Sequence, residues 1–125
     1  MRKGTEIGFD GEQITADYLR KQGFIINERN FHSRYGEIDI IAENEQYILF
    51  VEVKTRKNGA FVSPAEAVDT HKRRKISMTA ASYLMKSFCT LQPRFDVAEI
   101  TLFGEKERKE YKINYIENAF EPEGL

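Results

Sequence analysis

Two short stretches hold side chains that could act together chemically: Gly36-Glu37-Ile38-Asp39 and Phe50-Val51-Glu52-Val53-Lys54-Thr55-Arg56. Both set charged residues among aliphatic ones, as strands do when successive side chains leave on opposite faces. The polar group Glu43 to Gln46 between them has the length of a hairpin connection. Pairing Glu43 with Gln46 sets Asp39 opposite Phe50, Glu37 opposite Glu52 and Tyr35 opposite Lys54, all on one face. Asp39 and Glu52 then become diagonal neighbours, with Cα atoms roughly 7 to 8 Å apart.

Crowded carboxylates repel, and burial would force them to protonate or to find a counter-charge. A divalent cation supplies one. Oxygen donors without Cys or His select a hard ion, Mg2+ or Mn2+, which takes one or two carboxylates and keeps water and substrate phosphate as its other ligands. Such a centre activates water against a phosphodiester. Lys54 would neutralise charge on the phosphorus oxygens or hold the attacking water. The competing arrangement is a solvated strand face on which Glu and Lys pair. The flanks Ile38, Ile40, Ile41, Leu49, Phe50, Val51 and Val53 favour a strand pair covered on both faces, where free charges are unusual.

The elements that must position these residues follow from periodicity. Thr5 to Gln22 reads as a helix with Ile7, Ile14, Tyr18 and Leu19 near one face and Gly23 as its stop. Gly8 and Gly11 inside it mean either close packing against another backbone or a helix that begins near Asp10. Phe24 to Phe31, Glu37 to Ala42 and Tyr47 to Val53 read as strands. Ser63-Pro64-Ala65-Glu66 has the form of a capped helix start, leading to a helix that runs to about Lys86, with a break near Asp69 and Thr70 left open. Arg94 to Phe103 and Lys109 to Ile116 are two more strands around the turn Gly104-Glu105-Lys106-Glu107. The order αβββαββ is that of an α/β protein, a mixed sheet of about five strands flanked by helices.

Length and composition fit one domain over 1–125, with 118–125 as a frayed tail. Of 125 residues 41% are hydrophobic, and Cys89 is the only cysteine, so no internal disulfide forms. No apolar run long enough to span a membrane and no secretory leader is read, so a reducing cytoplasm is the expected setting. The net charge of -1 gives no global case for nucleic acid, yet its distribution is uneven. Lys54, Arg56, Lys57, Lys72, Arg73, Arg74 and Lys75 stand against Glu66 and Asp69 in the middle of the chain, and the region after Glu99 is acidic.

The two strands, together with Gly8-x-x-Gly11-Glu12, Tyr18-Leu19, Ser63-Pro64-Ala65-Glu66-Ala67-Val68 and the run Lys72 to Ile76, look like the bacterial YraN-type family, which in turn resembles archaeal Holliday-junction resolvases. That resemblance implies a restriction-endonuclease-like three-layer core and the acid, then acid-x-Lys, motif of nucleases, matched by Asp39, Glu52 and Lys54. It implies that Glu12 supplements the metal site from the first helix, that the nucleic acid is DNA, and, by analogy, that the protein forms a homodimer. Ile38 departs from the Pro found before the first acid in many nucleases, and Val62 stands where Gly is expected.

The remaining candidates each have an ordinary alternative. Glu12 could be a solvated helical acid. Glu37 could be an outer support of the metal site or a contact to the first strand. Arg56, Lys72, Arg73, Arg74 and Lys75 could contact phosphates without reading sequence, or the helical ones could form a charged surface. Asp96 could support the site or sit in a turn, and the turn is the expectation, while His32 and His71 lack metal-ligand spacing. The expected function is metal-dependent endonucleolytic cleavage of DNA, with branched or repair intermediates as candidate substrates; the alternative is a nucleic-acid-binding module of the same fold with weak or no cleavage.

Overall fold

In the computed structural model, which describes residues 10–57, 68–104 and 110–122, the elements are α1 (Gly11–Lys21), β1 (Ile25–Ser33), β2 (Gly36–Glu43), β3 (Tyr47–Lys57), α2 (Thr70–Ser87), β4 (Gln92–Phe103) and β5 (Glu110–Ile116). This is the αβββαββ order read from the sequence. The strands form one sheet in chain order. All neighbours are antiparallel except β3 and β4, which run parallel. A parallel pair needs a long crossover, and α2 lies within it.

The helices cover opposite faces. On one, Ala16 and Leu19 of α1 pack with Ile40, Ala42, Leu49, Val51 and Ala98. On the other, Ile76 and Ala80 of α2 pack with Ile38, Ile41, Ile48, Phe50, Phe95 and Val97. The result is a three-layer α/β protein. The inner strands β2 and β3 are therefore buried on both sides, which is why their sequences run aliphatic.

Asp10 caps α1 by accepting the N–H groups of Glu12 and Gln13 at 2.9 and 3.4 Å. Gly11 follows it against the sheet, where a Cβ would collide with Thr55 Oγ1 and touch Val53. Of the two explanations for Gly11, the helix start after Asp10 holds, and the close approach is to side chains of β3 and β4 rather than to another backbone, so the first helical residue must be small. Gly8 lies outside the described residues, as does the expected helix start at Ser63. The helix that carries Ile76 and Ala80 begins at Thr70, with the Asp69 carboxylate accepting the Lys72 N–H at 2.9 Å.

The β2–β3 register corrects the expected one. Asn44 Oδ1 accepts the N–H groups of Gln46 and Tyr47 at 2.8 and 2.7 Å, and Asn44 N–H donates to the Tyr47 carbonyl at 3.0 Å. The turn is therefore centred on Glu45 and Gln46, and Glu43 pairs with Ile48 rather than Gln46. Every partner moves by two residues. Because side chains repeat every second residue, a shift of two leaves the faces from Ile40 to Glu43 unchanged.

Two further expectations are overturned. Asp96 is not in a turn: it lies inside β4, fully buried. Its carboxylate accepts from Arg94 through two nitrogens at 2.9 and 3.0 Å, from Tyr115 Oη at 2.6 Å and from the Asn118 N–H at 2.8 Å. Residues 118–120 are not frayed, since Ala119 N–H donates to the Phe95 carbonyl at 2.7 Å and the Phe120 ring packs on Phe95. Removing one partner of a buried ionic network leaves the other uncompensated. Asp96→Ala is expected to lower unfolding free energy by about 3–5 kcal/mol, measured by urea denaturation, with Asp96→Asn less damaging. A loss under about 1 kcal/mol, the size of an exposed pair, would show that the network does not hold this edge of the sheet.

Candidate metal centre

The hydrogen-bonded ladder between β2 and β3 ends at Ile40 and Val51. The next level in that register holds Asp39 and Glu52. Here β2 departs from strict alternation: Ile38 and Ile41 both pack on the α2 side while Ile40 packs on the α1 side. The irregularity therefore falls at Asp39. Across from it on β1, Asn30 lies between Arg29, paired with Ile40, and Phe31, paired with Ile38, and adopts the left-handed conformation at φ 53. Both strands deform at one level. The Asp39 carboxylate accepts the Val53 N–H at 2.7 Å, the bond a regular ladder would have given to a backbone carbonyl.

Glu52 faces α2 and is only 7% exposed. Lys54 Nζ lies 3.5 Å from Glu52 Oε2, and Lys72 Nζ, from the first turn of α2, touches the same oxygen. Burial and the charge of Glu52 push the Asp39 carboxyl up to about 7, helped by Glu12 and opposed by the Val53 N–H. The Lys54 ammonium is lowered, first by burial and then by Lys72 beside it. For Lys72 burial acts in the same direction, but Glu52 outweighs it and the ammonium is held above its usual range. Asp39, Glu52 and Lys54 thus meet as the sequence suggested. Lys72 joins them.

The other candidates are dispersed around this group. Glu12, on α1, is held by Asn30 Nδ2 at 3.1 Å and Arg29 at 3.8 Å, with its charge bearing on Asp39. Glu37 does not face Glu52, because the register puts Asp39 at that level; it pairs with His32 on β1 and is exposed. Arg56 is paired with Glu99 on β4. Arg73 donates to the Val68 carbonyl at 2.8 Å and stacks over Phe120 at 5.5 Å. Arg74 and Lys75 are exposed on α2. A cleft between the β1–β2 turn and α2 opens beside Lys72, lined by Tyr35, Gly36, Glu37 and Lys75 among others. Gly36, at φ 153, closes that turn in a conformation that side chains resist.

The donor set suits a hard cation. Two carboxylates share the end of a broken ladder, one buried and one held back from ionising by burial and by the other's charge, and among the described residues no cluster with sulfur or imidazole forms there. Among the described residues no third acid or histidine closes in to make a self-sufficient cage. That leaves the arrangement Mg2+ accepts, one or two carboxylates with water and phosphate completing the shell. Sequence reasoning missed Asn30, whose left-handed backbone is signalled only by the tolerance of Asn for that conformation, and assigned Lys72 to phosphate or to a charged helix surface rather than to Glu52.

An α/β protein whose inner strands part around an acid pair, with a lysine two residues beyond the second acid, is the class defined by these observations. The sequence model of the Uncharacterised protein family UPF0102 matches residues 11–100. The chain belongs to this family, the YraN-type family, and the match includes Glu12, Asp39, Glu52, Lys54 and Lys72. It is 50% identical over 115 residues to a UPF0102 protein of Caldanaerobacter subterraneus subsp. tengcongensis, covering 91% of this chain and 93% of that one. It is 47% identical over 117 residues to one from Syntrophomonas wolfei, covering 92% and 97%, and 44% identical over 118 residues to one from Clostridium botulinum strain Loch Maree, covering 93% and 94%. Among the described residues no helix is long and apolar enough to cross a membrane.

A carboxyl whose folded pKa lies above its ordinary value stabilises the fold at low pH and loses that contribution as pH rises through the folded value. Metal-free protein is therefore expected to lose stability between about pH 4 and 7 through Asp39, which titrates near 7. Urea midpoints across that range in chelator should fall, and Asp39→Asn should flatten the slope. An unchanged slope in Asp39→Asn would contradict the crowding of the pair.

Proposed function

We propose that this chain is a metal-dependent endonuclease that hydrolyses DNA phosphodiester bonds. The observation that carries the proposal is the meeting of Asp39 and the buried Glu52 where β2 and β3 part, with Lys54 on the same strand. Asp39 and Glu52 would hold Mg2+ or Mn2+, and the bound ion supplies Lewis acidity and a water of lowered pKa. Asp39 is fixed in advance by the Val53 N–H, so its carboxylate need not reorganise. Lys54 places an ammonium beside Glu52, where charge grows on the phosphate oxygens. Glu12 stands behind Asp39, oriented by Asn30. Lys72, Arg74 and Lys75 give the substrate backbone a positive wall that positions it without reading sequence.

The preference for DNA, and for branched or repair intermediates, rests on the resemblance to archaeal Holliday-junction resolvases and their restriction-endonuclease-like core. Paired cuts on two strands need two centres, so the same resemblance favours a homodimer. One observation favours a second reading, a nucleic-acid-binding module with weak or no cleavage: Glu52 already has two ammonium groups on it.

Purified protein incubated with Mg2+ or Mn2+ and duplex, single-stranded, flap and four-way-junction DNA is expected to nick at least one substrate. Asp39→Ala and Glu52→Ala should reduce cutting to background, and Lys54→Ala should slow it about a hundredfold or more. Cutting that survives both carboxylate substitutions would remove the site. Binding without cutting under either metal would select the module.

A further inference from the structure

Glu52 receives two ammonium groups, and only one comes from its own strand. Lys54 is the expected neighbour, two residues along on the same face, at 3.5 Å. Lys72 reaches across from α2 and touches the same carboxylate oxygen. Its place in the helix is an uncomfortable one. It is the third residue after the Asp69 cap, in a first turn with no acidic residue, where the helix dipole disfavours a cation. What holds its ammonium is Glu52, across the interlayer gap.

The charges around the site explain the contact. Asp39 and Glu52 together carry up to two negative charges at the parted strands, and Lys54 and Lys72 carry two positive ones. A divalent ion added to this group would overfill it with positive charge. One ammonium must then leave. Lys54 is the more enclosed, with 24% of its side chain exposed against 41% for Lys72. Lys72 also borders the cleft beside the β1–β2 turn, into which its flexible four-carbon stem can swing.

We propose that Lys72 occupies the cation position of the Asp39–Glu52 pair as a tethered stand-in, and that a divalent ion displaces it into the cleft, where its ammonium meets a phosphate group of the substrate. This rests on the metal-centre reading of the pair and adds a regulatory coupling to it. The resting site already holds at least as much positive as negative charge and binds the ion weakly. An anionic strand in the cleft draws Lys72 away from Glu52 and strengthens the hold on the ion, so metal and substrate bind cooperatively.

The test is calorimetric titration with Mn2+ of the full chain, its Lys72→Met variant and the double variant carrying Lys72→Met with Asp39→Asn, each checked for folding. Lys72→Met is expected to bind Mn2+ about tenfold tighter or more than the unaltered chain, and the double variant to lose that binding. Equal or weaker binding by Lys72→Met, with the unaltered chain binding well, would overturn the role of Lys72 and leave the metal centre standing. No binding by either would overturn both. Tight binding that persists in the double variant places the ion elsewhere and also overturns the proposal. Should Lys72→Met fail to fold, lysine side-chain NMR of the unaltered chain serves instead: Mg2+ should sharpen and shift the Lys72 Cε signal more than that of Lys54, and an unmoved Lys72 signal at saturating Mg2+ would refute displacement.

Discussion

The hydrogen bond from the Val53 N–H to the Asp39 carboxylate is the contact on which the site depends. Inside a sheet a backbone donor is ordinarily satisfied by the next strand. Where β2 and β3 stop pairing, a side chain takes over that duty, and the side chain is an acid. Asp39 is thereby fixed at the level of Glu52, in a gap walled by helices on both faces. Two acids so placed cannot both ionise without a counter-charge, which accounts for the reluctance of Asp39 to lose its proton and for the two lysines gathered on Glu52.

The rest of the fold supplies rigidity and reach. β3 is paired along its whole length with β4, from Tyr47 with Gln92 to Lys57 with Leu102, so the strand bearing Glu52 and Lys54 is supported on one side even where β2 abandons it. Behind it, the buried Asp96 ties Arg94, Tyr115 and Asn118 together and anchors β5 and the residues that follow it. The β3-to-β4 crossover shapes the acid–lysine group as well as the topology. It sets the N-terminal turn of α2 over the α2-facing side of β3 and so delivers Lys72 to Glu52.

Much of this was legible in the sequence because it follows from periodicity. The aliphatic flanks Ile38 to Ala42 and Leu49 to Val53 favoured inner strands over a solvated face, and the acids and lysine among them stood out for that reason. The register was misplaced by two because Asn44 gives its side-chain oxygen to two backbone donors, which moves the turn by one residue. The site survived that error, since an even shift preserves the faces; Glu37 did not, and lost its supposed place opposite Glu52. The break in alternation at Asp39 and the left-handed Asn30 depend on tertiary contacts that no local pattern encodes. Asp96 went the same way: an Asp near the start of a strand suggests a turn until Tyr115 and Asn118, distant in sequence, are seen around it. The roles of Arg56 and Arg73 were likewise set by partners on other elements, Glu99 and Phe120.

The most direct measurement is where a divalent ion goes. Crystals of the unaltered chain soaked in Mn2+ and measured near the manganese absorption edge should show an anomalous peak within about 2.5 Å of a carboxylate oxygen of both Asp39 and Glu52, with Lys72 Nζ moved off Glu52. Absence of a peak at the parted strands under saturating Mn2+, with Asp39 and Glu52 unobstructed by the lattice, would contradict the assignment of this acid pair as a metal centre.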